Sequence, residues 1–272
     1  MTVPDTDKVF AGRIPEFYDT YMVPLIFQPY AKDMASRVAS RHVSRVLEIA
    51  AGTGVLTRAL AGELPEGVEI VATDLNQAML DYAAGLEIAR PVEWRQADAM
   101  ALPFEDEAFD AVACQFAMMF VPDKVKAFSE ARRVLRPGGL FLLDVWDRIE
   151  ENEFADVITT SLESIFPDDP PRFLARTPHG YHDVRVIEAD LVKAGFSAAP
   201  MIETIAHRSR ADSPEVPAIA YCQGTPLLNE IEERDASRVA EATDVAARAI
   251  AARFGTGKVD GKISAQIVSV TK

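Results

Sequence analysis

The stretch that decides the fold is Arg45–Leu60, RVLEIAAGTGVLTRAL, in which aliphatic residues run into small residues and then into a helical pattern. Gly52 and Gly54 carry no Cβ, so the backbone at this turn can approach a ligand closely. In doubly wound sheets such a turn follows the first strand at the carboxyl edge, where cofactors bind. Glycine pairs of this spacing occur in many α/β proteins, so the cofactor has to be identified from the rest of the chain.

Short β-branched runs alternate with helical patterns on both sides of this stretch, which is typical of βαβ units and a mostly parallel sheet. Five strands are predicted, at 43–49, 68–73, 92–96, 109–116 and 139–145. They are followed by a helix to about Phe166, a proline-rich loop, a helix over 184–194 with Gly195 as its cap, and strands at 201–207 and 263–270. A helical stretch over 213–254 separates the last two strands and is interpreted as an insertion.

Three further features follow the later strands in order. Asp74 ends the second strand, twenty residues beyond Gly54, where a carboxylate can accept hydrogen bonds from both hydroxyls of a ribose. Asp98, after the third strand, can accept the amino hydrogens of an adenine, and the Ala99 amide can meet a ring nitrogen. A tight turn through Pro137, Gly138 and Gly139 leads into the fifth strand.

With these four motifs in order, residues 43 to 146 resemble the class I S-adenosylmethionine-dependent methyltransferases, especially the group that includes the ubiquinone and menaquinone C-methyltransferases. The resemblance implies an α/β, Rossmann-like fold whose seven-stranded, mostly parallel sheet has its last strand antiparallel and helices on both faces. It also implies a helical insertion between strands six and seven. Residues 41–212 and 258–272 form the predicted core, 1–40 an N-terminal helical lid, and 213–257 a cap over the acceptor.

The resemblance assigns roles residue by residue. The cofactor is S-adenosyl-L-methionine, with S-adenosyl-L-homocysteine as product. The glycine-rich turn would hold its methionine part, Asp74 its ribose and Asp98 with Ala99 its adenine, while Leu75 and Met79 flank the adenine. The full set of predicted cofactor residues is Tyr18, Glu48, Ala50, Gly52, Gly54, Asp74, Leu75, Met79, Asp98, Ala99, Gln115 and Phe116.

Two residues of the glycine-rich turn, Glu48 and Ala50, are unusual for their positions. A carboxylate such as Glu48, at the end of an apolar parallel strand, is costly unless it meets a positive ligand, and the ammonium of the cofactor would be that ligand. Ala50 stands where the family has the first glycine of its acid-x-Gly-x-Gly-x-Gly pattern. Its methyl group is tolerable if the residue keeps a negative φ, which is the expectation for this turn.

The composition narrows the classes of partner. The formal charge of −14, from 42 acidic and 28 basic residues, would repel nucleic acid and anionic membrane surfaces. Two isolated cysteines favour a reducing, cytoplasmic setting, and neither a leader segment nor a membrane span is indicated. The expected partner is a small-molecule methyl acceptor, whose attacking atom can be oxygen, nitrogen or carbon, and the oligomeric state stays open, with a homodimer as one option.

Methyl transfer from a sulfonium is an in-line displacement that requires alignment of the acceptor and no metal, and no metal-ligand spacing is present. A phenol or hydroxyl acceptor would benefit from a general base, for which His179 and His182 in RTPHGYHD are the candidates, although loop histidines are more often surface residues. Cys222 as a nucleophile is disfavoured because no covalent intermediate is needed. The candidate acceptor-side residues are Tyr21, Met119, Tyr181 and Tyr221.

Two other functions compete with methyl transfer. A nicotinamide-dependent oxidoreductase would also use a glycine turn and an acid after strand two, but its third glycine would fall at position 57, where Thr57 stands. A non-catalytic module that only binds the cofactor stays open, because a fold alone does not prove activity.

Overall fold

A single seven-stranded sheet organises the protein, whose computed structural model describes residues 14–272. The strands are β1 (Arg45–Ile49), β2 (Glu69–Asp74), β3 (Glu93–Gln96), β4 (Phe109–Gln115), β5 (Leu135–Trp146), β6 (Met201–Ala211) and β7 (Val259–Thr271). Their order across the sheet is β3-β2-β1-β4-β5-β7-β6. The first five strands pair in parallel.

The last strand, β7, runs against its neighbour β5. The Asp147 amide donates to the Ser264 carbonyl, whereas the Lys272 amide donates to the Gly139 carbonyl, so residue numbers rise along β5 as they fall along β7. The predicted seven-stranded, mostly parallel sheet with an antiparallel last strand is therefore confirmed.

Helices connect the strands and fill the insertion between β6 and β7. They are α1 (Ile14–Phe17), a π-helical segment (Tyr18–Phe27), α2 (Gln28–Ala39), α3 (Val55–Glu63), α4 (Gln77–Ala84), α5 (Lys124–Val134), α6 (Glu153–Ser161), α7 (Phe173–Arg176), α8 (Val184–Lys193), α9 (Glu215–Gln223), α10 (Leu227–Asp235) and α11 (Val239–Phe254). No helix within residues 14–272 has the length and apolar character to cross a bilayer.

The chain divides into two compact units. One comprises residues 28–145, 181–204 and 266–272, and we call it the cofactor unit because it holds the turns after β1, β2 and β4. Of the described residues, the other unit comprises 14–27, 146–180 and 205–265, and we call it the insertion unit. The boundaries predicted from the sequence, 1–40, 41–212 with 258–272, and 213–257, stay predictions, and residues 1–13 lie outside the described part.

In the cofactor unit, burial follows position in the sheet. The central strands β1 and β4 are apolar and buried, as parallel strands covered on both faces must be, whereas the edge strand β3 is largely exposed. The helix α8 ends as predicted: Gly195 has φ +94°, and the Phe196 amide donates to the Leu191 carbonyl.

The fifth strand differs from the prediction. It begins at Leu135 rather than at Gly139, because the glycine turn lies inside the strand as an irregularity. Phe109 pairs with Leu135, but Ala111 already pairs with Leu140, and Gly138 takes φ +78° to absorb the extra residues.

In the insertion unit, α9 packs against the π-helical segment and against α11. The single helix predicted from residue 147 to Phe166 is wrong. Two 3₁₀ turns, Ile149–Glu151 and Leu162–Ser164, flank the shorter α6. The buried Asn152 explains the first break, since its side-chain amide donates to the carbonyls of Asp147, Arg148 and Ser264 instead of facing solvent.

Candidate cofactor site

The glycine-rich turn after β1 is built from left-handed residues. Gly52 has φ +55° and Gly54 has φ +81°, which glycine adopts without strain. Ala50 has φ +56°, so the expectation of a negative φ at this position is wrong. The turn has the conformation that three glycines would give, and alanine adopts it at some cost.

Asp74 ties this turn to the end of β2. Its carboxylate accepts the Gly52 amide at 2.9 Å and the Asn76 amide at 2.8 Å. Burial raises the pKa of Asp74, and these hydrogen bonds oppose that rise. The side chain that caps α4 is Asn76, which accepts the Ala78 amide, so helix capping does not account for Asp74.

Glu48 lies beneath the turn and is 1% exposed. Its carboxyl accepts the Thr57 hydroxyl at 2.5 Å, across the first turn of α3. Burial raises the pKa of Glu48 to about 8, with Asp74 adding to the rise and Arg58 and the Thr57 hydroxyl opposing it. An acid in this environment gains most from a nearby positive group.

The two glycines of the turn differ in how closely other atoms approach them. A Cβ on Gly52 would meet nothing within 4 Å, so this backbone borders open space. A Cβ on Gly54 would lie 3.0 Å from the Trp94 ring, so this glycine packs against β3. Thr53 is buried between them, and its hydroxyl has no hydrogen-bond partner among the described residues. The turn therefore offers backbone and a hydroxyl on one side and close packing on the other.

The predicted adenine residues follow β2 and β3. Leu75 is 58% exposed, one of the few large apolar side chains that face solvent, next to the Asp74 carboxylate. Asp98 and Ala99 are half-buried, and the Asp98 carboxylate accepts the Met100 amide at 2.8 Å. Met79 is buried in α4.

The end of β4 forms a second turn. Gln115 is half-buried, Phe116 and Met119 are buried, and Phe116 has φ +47°. The Phe116 amide donates to the Asp144 carboxyl at 2.7 Å, and its ring meets Tyr30 edge-on at 5.2 Å. The structure thus brings eleven of the twelve predicted cofactor residues, all except Tyr18, into the cofactor unit.

The acceptor-side and histidine candidates are divided between the units. Tyr18, Tyr21, Tyr221 and His179 belong to the insertion unit, and Met119, Tyr181 and His182 belong to the cofactor unit. Tyr181 is buried and donates to Asp190 at 3.0 Å, with Lys124 over its ring. Tyr221 is buried in α9, Tyr18 stacks on Phe27 and Tyr21 contacts Phe17.

Cys222 is buried, and burial raises the pKa of its thiol to about 12.

His179 has a defined orientation. Its Nδ1 lies 2.8 Å from the Asp147 carbonyl oxygen, and its ring packs on Trp146. Because a carbonyl can only accept, Nδ1 carries the proton, and Nε2 of the neutral ring has the lone pair. His182 is half-buried beside Asp183, whose pKa is lowered mainly by its hydrogen bonds with Arg185. Among residues 14–272, no three histidine, cysteine or acidic side chains are grouped as metal ligands.

Sequence reasoning missed four residues of this region: Thr53, Thr57, Trp94 and Asp144. Thr57 and Glu48 are nine residues apart and meet only because the strand and helix fold back on each other. Asp144 could have been noticed, since an acid in LFLLDVW interrupts an otherwise apolar strand. Thr53 and Trp94 carried no comparable signal.

The segment that contains these two turns is similar to known proteins. A family described as "Methyltransferase domain" matches residues 47–143, which run from β1 into β5 and include both turns. The ubiquinone/menaquinone biosynthesis C-methyltransferase UbiE of Ectopseudomonas mendocina is 35% identical over 166 residues, which are 56% of this chain and 65% of that protein. This match spans just under two thirds of the relative's length.

A protein of the same name from Escherichia coli O139:H28 is 31% identical over 171 residues, 58% of this chain and 68% of that protein. Among solved structures, the YcgJ protein from Bacillus subtilis superposes with a TM-score of 0.55 at 19% identity, covering 90% of this chain and 98% of that one. At this identity the likeness supports the fold and nothing finer.

Proposed function

We propose, from the premise that this chain belongs to the class I S-adenosylmethionine-dependent methyltransferases, that it transfers a methyl group from S-adenosyl-L-methionine to a carbon atom of a small-molecule acceptor. The observation that carries the proposal is the pairing of the left-handed glycine turn with Asp74 through the Gly52 amide. This pairing puts a cradle and a carboxylate side by side at the carboxyl edge of the sheet.

The residues present fit the cofactor. The open space beside Gly52 leaves room for the methionine part, and the buried Thr53 hydroxyl and Glu48 carboxyl are polar groups for its carboxylate and ammonium. Asp74 has acceptor lone pairs for the ribose hydroxyls beyond those that bind Gly52 and Asn76. The exposed Leu75 gives an apolar surface for the adenine, with Asp98 and Ala99 as its polar contacts.

Each of these groups acts by positioning. The bound cofactor supplies an activated methyl group on a positive sulfur. Asp74 and the turn fix the nucleoside, and Glu48 fixes the ammonium, so that the donor enters the reaction in one orientation. Orientation of this kind can supply up to about 7–11 kcal/mol of barrier reduction in favourable cases.

A carbon acceptor is proposed because the matched relatives are named C-methyltransferases of ubiquinone and menaquinone biosynthesis. An electron-rich ring such as a hydroxylated quinone precursor becomes nucleophilic at carbon when a ring hydroxyl loses its proton. We assign that proton to His179, whose ring is oriented by the bond from Nδ1 to the Asp147 carbonyl. The lid at 1–40 and the acceptor cap at 213–257 stay predictions.

Calorimetric titration tests the cofactor. S-adenosylhomocysteine is expected to bind one site per chain, and NADH is expected to give no heat. Binding of the nicotinamide dinucleotide alone would overturn the assignment in favour of an oxidoreductase.

An acceptor screen tests the reaction. Hydroxylated quinones, phenols, amines and carboxylates are incubated with S-adenosylmethionine, and product mass with proton NMR locates the new methyl group. A methyl on ring carbon is expected, and one on oxygen or nitrogen would contradict the carbon assignment. Tight cofactor binding with no product from any acceptor would favour a non-catalytic binding module.

The base is tested with His179→Ala and the matched variant His182→Ala. Loss of a general base lowers kcat by about 10²–10⁴-fold, while the Kd of S-adenosylhomocysteine stays at the wild-type value. Full turnover in His179→Ala would remove His179 from the mechanism, and a loss confined to His182→Ala would transfer the role to that residue.

A further inference from the structure

Asp144 is a buried acid that cofactor binding does not explain. It lies in β5 between Leu143 and Val145, and all three side chains are 0% exposed. A carboxyl group in such an apolar strand is unfavourable unless its contacts offset the loss of water. Its contacts therefore indicate its role.

Asp144 accepts a hydrogen bond from the second turn of the site. Its Oδ1 accepts the Phe116 amide at 2.7 Å, just beyond the paired residues Gln115 and Asp144. Phe116 has φ +47°, a left-handed conformation that is uncommon for an aromatic residue and has to be held by its surroundings. Without Asp144, a buried amide would lose its acceptor at the most strained residue of this turn.

The second carboxyl oxygen of Asp144 is buried, and it has no hydrogen-bond partner within residues 14–272 by distance and angle. Burial raises the pKa of Asp144 well above its ordinary value, and Asp33 adds to the rise, while the Phe116 amide and the Gln115 side chain oppose it. What Asp144 supplies to this turn is therefore an oxygen acceptor for the Phe116 amide. A neutral side chain of the same shape should be able to replace it.

We propose that Asp144 is a positioning residue, which holds the left-handed turn at Phe116 and so keeps Gln115 and Phe116 in place as a wall of the nucleoside site. The inference rests on the proposed function, because Gln115 and Phe116 form such a wall only if the chain binds the cofactor. Asp144 itself touches neither the cofactor nor the acceptor in this role.

Two variants separate shape from hydrogen bonding. Asp144→Asn keeps an oxygen acceptor for the Phe116 amide, whereas Asp144→Leu keeps a similar volume and removes the acceptor. The Kd of S-adenosylhomocysteine is expected to stay within about threefold of wild type in Asp144→Asn and to rise at least about tenfold in Asp144→Leu, the range expected when a buried amide is left without a partner. Leu142→Ala, a buried change in the same strand, serves as the control for general loss of stability and is expected to keep the wild-type Kd.

Three outcomes would overturn the proposal: an unchanged Kd in Asp144→Leu, an equal loss in Asp144→Asn, or an equal loss in Leu142→Ala. If Asp144→Leu does not fold, Asp144→Ala tests the same loss of acceptor, and wild-type affinity there would be equally decisive. Hydrogen exchange at the Phe116 amide gives a readout without cofactor: slow exchange in wild type and Asp144→Asn, and fast exchange in the variants without an acceptor. If wild type binds no cofactor, the proposed function fails, and this exchange pattern still reports whether Asp144 holds the turn.

Discussion

The turns that follow β1 and β4 at the carboxyl edge of the sheet share two structural features. Each contains a left-handed residue that is not glycine, Ala50 after β1 and Phe116 after β4. In each, an acid from the neighbouring strand accepts a turn amide: Asp74 accepts that of Gly52 at 2.9 Å, and Asp144 accepts that of Phe116 at 2.7 Å.

The two acids differ in where their remaining lone pairs lie. Asp74 ends its strand and is half-buried, so it can bind the turn and a ligand together. Asp144 lies inside its strand at 0% exposure and can bind only the turn. An acid that accepts a turn amide therefore contributes to ligand binding at the first turn and only holds the backbone at the second. Its position, at the end of the strand or inside it, determines which of these roles it has.

The largest effect is expected from Glu48, the buried acid of the first turn. Its pKa is about 8 in the folded chain and near 4.5 in the unfolded one, so between these values the folded state keeps a proton that the unfolded state releases. The contribution of Glu48 to the free energy of unfolding should be greatest below pH 4.5 and fall by roughly several kcal/mol as pH rises through about 8. Urea unfolding of wild type and Glu48→Gln from pH 5 to 9 checks this, since the variant should lack this part of the slope. Parallel pH profiles would show that Glu48 does not titrate in this window.

The next largest effect is expected from Asp74→Ala, which removes the acid shared by turn and ligand. Loss of its charge-assisted hydrogen bonds should raise the Kd of S-adenosylhomocysteine about a hundredfold or more. Asp81→Ala, an exposed acid on the adjoining α4, is the control and should bind as wild type. A Kd unaffected by Asp74→Ala would make the two turns equivalent and remove the recognition role of the first.

Gly54→Ala should have a smaller effect, on stability. The new Cβ would lie 3.0 Å from the Trp94 ring and force a side chain onto φ +81°, so a loss of about 1–3 kcal/mol is expected. Gly62→Ala in α3 is the matched control. A Cβ there would meet nothing within 4 Å, so it should stabilise the helix by about 0.5–1 kcal/mol. Equal stability of the two variants by urea unfolding would contradict the close packing of the turn against β3.

The smallest effect is expected from Ala50→Gly. Relief of the left-handed strain is partly cancelled by the greater freedom of glycine in the unfolded chain, so a gain below about 1 kcal/mol is expected. Ala51→Gly, at the next residue where φ is not positive, should instead lose stability. If thermal unfolding ranks these two variants in the opposite order, Ala50 is not strained.

Much of the cofactor unit was predictable because its signals are local. Runs such as Val46–Ile49 must be buried on both faces, and Asp74 follows its strand directly, so strand position alone places it at the carboxyl edge. The seven-stranded, mostly parallel sheet with an antiparallel last strand, which the family resemblance implied, was also confirmed.

Other features depend on contacts between distant residues and had no local signal. The conformation of Ala50 is imposed by the turn that Asp74 and Gly52 close, and alanine by itself favours negative φ. The break before α6 depends on Asn152 meeting Ser264, more than a hundred residues away. The roles of His179, Tyr21 and Tyr221 depend on an acceptor that no motif in the sequence identifies.

The strand order has a consequence for how the molecule assembles. β6 lies at the edge of the sheet, and its neighbour there is β7, the last strand of the seven. During synthesis β6 and all three insertion helices emerge before the strand that β6 must pair with. Its backbone stays without a sheet partner until β7 adds beside β5, so the final steps of folding join residues far apart in sequence, which are intrinsically slow.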